Sequence, residues 1–102
     1  MIEAVFAGVH EELFELFGVD GHVRRGLDDP VPVRLVIARG VETLGEYGQV
    51  VARVTTADFL VRQWQPKQAD VVTWTDDHGM HTKRVDSVDD DDGYVARTVL
   101  HG

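Results

Sequence analysis

The chain has 102 residues, 43% of them hydrophobic, no cysteine and a formal net charge of −8. That length supports one domain with a modest core, since two halves would each be too small to bury a stable interior. Without cysteine there is no disulfide and no thiolate nucleophile or ligand, and the negative charge disfavours adhesion to polyanions such as DNA or an anionic membrane surface.

The N-terminal stretch MIEAVFAGVHEELFELFG carries neither a basic leader nor an apolar run of the ~20 residues a membrane span requires. Its apolar positions Ile2, Val5, Phe6, Val9, Leu13, Leu16 and Phe17 recur at steps of three and four, which predicts an amphipathic helix over 2–17. Gly18 is positioned to end it in a left-handed conformation. Glu11, Glu12 and Glu15 crowd the end of the helix that its dipole makes negative, as a solvated face or as a contact for a basic partner.

After Gly18 the pattern changes to strands and turns. A short strand is expected around His22–Arg25. Asp28, Asp29, Pro30 and Pro32 mark a turn, and Val31, Val33, Leu35 and Ile37 then alternate on one strand face. The segment 40–48 holds three glycines and reads as a flexible loop. Residues 49–61 are again β-rich, with Asp58 expected to interrupt them. Residues 62–70 form a polar connection around Pro66. Strands follow at 69–74, 80–88 and 94–100, separated by the acidic turns Asp76-Asp77-His78-Gly79 and Asp89–Asp92-Gly93, whose glycines are free to take positive φ. The expected class is mainly β, a small barrel or sandwich of about six strands with one N-terminal helix. Strands that are apolar on both faces, such as Val71 and Val72, call for cover from that helix or from other subunits.

Few residues suggest chemistry. Asp76, Asp77, His78, His81 and Asp86 include a His-x-x-His pair, but residues three apart on a strand point to opposite faces. The run Asp89–Asp92 lacks the alternating ligands and closing glutamate of a calcium loop. Ser87 has no nucleophile-elbow context, and neither a dinucleotide fingerprint nor a phosphate loop is present. Trp64 and Trp74 read as core or interface. The residues give no positive sign of an enzyme, a cofactor or a metal.

The order of elements carries more information: a helix, the Leu27-Asp28-Asp29-Pro30 turn, a glycine-rich loop, the strand Asp70–Trp74, then Val85-Asp86-Ser87-Val88, Asp89–Asp92-Gly93 and a closing strand. Over residues 19–100 this resembles the head-to-tail joining (head completion) proteins of long-tailed bacteriophages, the small β-barrel family of the lambda joining protein. That family shows a Gly-Asp pair opening one strand, and a Val-Asp-x-Val strand with an Asp-Asp-Gly turn before the last. Val85, Asp86, Val88, Asp92 and Gly93 match, while Ala69 stands where glycine is usual.

The resemblance implies a homo-oligomeric ring, of six copies, in the virion neck between the portal or adaptor and the tail. Such a ring is assembled in the host bacterial cytoplasm and has no catalytic role, cofactor or membrane contact. A ring component needs surfaces for both neighbours, and the 2–17 helix and 40–48 loop are the candidates. Within the loop these are Glu42, Leu44, Glu46 and Tyr47, with Tyr47 as anchor unless it folds back on its own barrel. DNA passes through such a ring without specific binding. Asp76, Asp77 and Asp89, Asp90, Asp91 and Asp92 are expected to face the channel, repelling phosphate over about a Debye length of 8 Å. The alternatives are a tail-terminator ring, a small metal-binding enzyme or module built on His78 and His81, and a monomeric module that captures a peptide on a sheet edge.

Overall fold

The computed structural model describes residues 11–102, so the 2–10 part of the expected helix lies outside the described residues. Residues 11–17 are helical (α1) and six strands follow: β1 Val19–Arg24, β2 Val31–Leu44, β3 Val50–Leu60, β4 Val71–Asp76, β5 Gly79–Asp91 and β6 Val95–His101. Every pairing is antiparallel, and the order β1-β2-β3-β6-β5-β4 closes on itself through β1 and β4. Of the two expected architectures, the chain takes the barrel.

Closure follows from the alternation. Val23, Val33, Leu35, Ala57, Phe59, Val72, Trp74, Val85 and Leu100 point inward and form one buried cluster, with Val19, Val31, Ile37 and Trp64 packed against it. The outward face of β2, β3 and β6 is covered in part by α1. Its Phe14 is buried and shares a cleft with Val36, Asp58, Val95 and Arg97. Arg34 ties the helix down, donating to the Phe14 and Glu15 carbonyls and pairing with Asp20. Glu11 pairs with Arg62.

Several sequence expectations are corrected here. Gly18 ends the helix without a left-handed φ. Its role is close approach, because a Cβ there would overlap the Phe14 carbonyl oxygen and crowd the Arg34 side chain. Residues 40–44, expected in a flexible loop, continue β2, and the reversal is confined to 45–49. Asp58 does not interrupt β3: it lies opposite Arg97 of β6 and accepts from its Nε at 3.0 Å. Asp89, Asp90 and Asp91 belong to β5 rather than to a turn. The strand tolerates these acids because Asp86 and Asp89 are the extra residues at two bulges against β6, and Asp90 pairs across to Arg97.

Candidate interaction surfaces

The register fixes two ends of the barrel. At one end lie the 45–49 and 77–78 turns, the start of β1 and the close of β6; at the other lie the 25–30 and 61–70 connections and the 92–94 turn. The two ends differ in chemistry.

At the first end β2 and β3 outrun their neighbours. β1 pairs with β2 only as far as Leu35, and β6 pairs with β3 only from Thr55 onward. Among the described residues the two strands pair only with each other from Val41 to Val54, forming a two-stranded arm that extends past the neighbouring strands. The arm leaves at a bulge in which Arg39 and Gly40 stand against the single residue Thr55, and Gly40 takes φ +66°, which a side chain would resist.

Glu42, Leu44, Glu46 and Tyr47, singled out from sequence, all lie on this arm or its turn. Leu44 is 63% exposed and Tyr47 is 90% exposed, so Tyr47 does not fold back on its barrel. Val41, Val50 and Val51 are also exposed, as is Met80 on the adjacent hairpin. Glu42 pairs with Arg53 across the arm at 3.4 Å, and the Gln49 side chain accepts from the Tyr47 amide.

At the base of the arm a polar cluster covers the mouth of the barrel. Arg39 of β2 donates to Asp76 of β4 at 2.8 Å, and His81 Nε2 of β5 lies 2.9 Å from the other Asp76 oxygen and 2.8 Å from Arg39. The His81 ring stacks on Trp74 at 5.2 Å, placing this layer directly on the core. The His81 hydrogen bond, with the His78 amide and the charges of His81 and Arg39, lowers the Asp76 carboxyl to about 2 against some desolvation. Arg39 was missed from sequence; its one signal is that it continues the inward alternation of Val33, Leu35 and Ile37.

The opposite end is acidic. Asp91 accepts from Gln65 and from the Gly93 amide, and Asp92 accepts from the amides of Tyr94 and Val95, so these carboxylates hold the β5–β6 turn. Asp89 accepts from Ser87. Asp76 and Asp77 lie at the other end of the barrel, separated from Asp91 by a strand of 13 residues, roughly 40 Å of extended chain. The six acids singled out as a set therefore form two groups at opposite ends.

Behind the acidic end sits the most buried carboxylate. Asp70 is 1% exposed. It takes both Arg25 nitrogens at 2.8–2.9 Å, the Trp64 indole N–H at 2.9 Å and the Lys67 amide at 2.9 Å. Arg25 also lies over the Trp64 ring at 4.6 Å. Burial on its own raises the Asp70 carboxyl, but the bonds from Arg25, Trp64 and Lys67 outweigh it and hold the group below its ordinary range. Sequence reasoning placed Asp70 in a strand and missed this role.

Among the described residues no group of three or more His, Asp or Glu side chains is close enough to hold a metal ion. His81 is engaged with Asp76 and Arg39, and His78 meets Asp76 through its backbone amide. Compared with known protein families and with curated proteins, the chain matches none.

Proposed function

We propose that this protein is a structural, non-enzymatic ring subunit of a phage neck, a head-closure or connector component joining the portal-adaptor vertex of a head to its tail. The observation that carries the proposal is the pairing of a closed barrel with two unlike ends, one bearing an exposed apolar arm and the other a rim of aspartates. A connector meets a different neighbour on each side, and this arrangement supplies two distinct contact surfaces on one chain. The order of elements over residues 19–100, described above as resembling the joining proteins, supports the same reading.

In this proposal Tyr47 and Leu44 at the arm tip are the anchor for one neighbour. An exposed aromatic contributes a large contact area while ordering few rotatable bonds. The rim of Asp89, Asp90, Asp91 and Asp92 faces the channel, where negative charge keeps passing DNA from adhering. If the end with Asp76 and Asp77 lines it instead, Asp77 carries that role, because the Asp76 charge is met by Arg39. The ring of six copies, the virion location and the absence of a cofactor belong to the same proposal. A ring structure with all six aspartates on the outer wall removes the channel assignment.

Electron microscopy of particles assembled without this protein tests the role. The expected result is DNA-filled or leaking heads beside unattached tails, with joining restored on adding it back. Attached tails in its absence overturn the proposal, and tails of uncontrolled length mark a tail terminator instead. The open strand edges of the arm favour one second reading, a monomeric module that captures an extended peptide. A protein that stays monomeric beside portal and tail components and binds such a peptide identifies that case.

A further inference from the structure

We infer that neighbouring copies of this chain pair arm to arm, the free β3 edge of one arm hydrogen-bonding to the free β2 edge of the next. The barrel proper is closed, whereas among the described residues both flanks of the arm present backbone with no strand partner: β2 beyond its last β1 partner at Leu35, and β3 before its first β6 partner at Thr55. Proteins usually blunt such edges with charged side chains, lysine above all, with proline, with bulges or with a covering element. Here the bulges lie at Ala38/Val41 and Thr43/Leu44, the regular stretch between them is open, and its charges, Glu42 and Arg53, already face each other. Residues 41–54 contain neither lysine nor proline, and a lone two-stranded ribbon is only marginally stable until further strands join it.

The arm's own register identifies the occupant. Between Val41 and Thr43 the pairing is regular: Val41 opposite Val54, Glu42 opposite Arg53, and Thr43 opposite Ala52. Directly opposed residues share a face, so one face carries Glu42 with Arg53 and the other carries valine, threonine and alanine. Setting a second arm beside the first in the same antiparallel sense repeats all three pairs across the new boundary. Arg53 then lies between its own Glu42 and that of the next copy, and Val54 lies beside the next Val41. The two edges of the arm are thus complementary to each other in both charge and apolar face. A two-fold pairing of β3 edges about Ala52 instead sets Arg53 against Val51 and makes no ion pair.

The contact joins unlike edges, so it closes into a ring or extends as a filament according to its rotation. It deepens the ring proposal and rests on it for the number of copies only. Because the chain has no cysteine, introduced thiols report this contact alone. Val41→Cys and Val54→Cys proteins, each confirmed as folded by circular dichroism, are mixed and mildly oxidised, since opposed antiparallel residues lie within disulfide range. A disulfide-linked heterodimer is expected in the mixture at several-fold excess over either protein alone, with Ala52→Cys remaining monomeric.

A dominant Ala52→Cys dimer, or no excess in the mixture, overturns the inference. Charge reversal gives a second measurement that does not require a thiol. Glu42→Arg and Arg53→Glu should each lose self-association in sedimentation, and their mixture should regain it; a mixture no better than the single variants also overturns the inference. Cross-linking by a protein whose absence leaves tails attached keeps the contact standing and removes the phage role. Tail joining without cross-linking does the reverse.

Discussion

Ala69 takes φ +76°, the left-handed region, and is the one non-glycine among the described residues to do so. It is held there from both sides, because its amide donates to the Val85 carbonyl and the next residue, Asp70, is locked by four hydrogen bonds. An L residue pays about 1–2 kcal/mol for this conformation, and glycine gives back about 0.5–1 in unfolded-state entropy. Ala69→Gly is therefore expected to stabilise the protein by roughly 0.5–1 kcal/mol in urea unfolding; an unchanged midpoint argues against strain at this site. Asp70→Asn acts in the opposite direction. It leaves the Arg25 charge without its buried partner and should cost about 2–3 kcal/mol. Acid adds a further reading. Asp70 and Asp76 both titrate below their ordinary value of 3.8, Asp76 at about 2. Their contribution is complete above pH 4 and is lost as pH falls through the folded values. Asp76→Asn should flatten the acid limb of a stability profile between about pH 4 and pH 2, and an unaltered limb removes Asp76 from that role.

The arm differs from the barrel strands in what holds it. Its residues are largely exposed and give little apolar cover, so in protein dilute enough to be single-copy the amides between Val41 and Val54 are expected to exchange with deuterium much faster than those of β1, β4 and the inward half of β3. Equal protection would mean that the arm is buried in an assembly already formed in solution. The sequence hid this element for a physical reason. Gly40, Gly45 and Gly48 read as a loop, yet Gly40 serves a bulge inside β2, and only the latter two belong to the reversal. The aspartates of β5 misled in the same way, since aspartate is depleted in strands but fits at a bulge or opposite an arginine. The alternation Val31, Val33, Leu35, Ile37 and the run Val71–Trp74 were legible because inward and outward positions differ plainly in polarity. The cluster of Arg39, Asp76 and His81 was not, because three strands far apart in sequence bring it together and no local spacing encodes it.

Across the whole molecule, four of the six pairings join consecutive strands, while β1–β4 and β3–β6 close the barrel between strands roughly 35–53 residues apart. An all-β fold that closes through such distant pairings is expected to form on the millisecond-to-second scale rather than in microseconds. Stopped-flow refolding followed by the fluorescence of Trp64 and Trp74 measures this, and loss of the full amplitude within the mixing dead time contradicts it. Closure also gathers the open backbone of both β2 and β3 onto one short ribbon, while the −8 net charge sets a repulsion between copies that the edge contact must overcome. Those two properties set the colloidal behaviour of the purified protein. As the solution approaches its isoelectric point near 4.9, repulsion fades while the ribbon edges stay open, so loss of solubility should be ordered and directional rather than amorphous. Storage well above that pH limits such precipitation, and shortening the ribbon protects against it even at the isoelectric point.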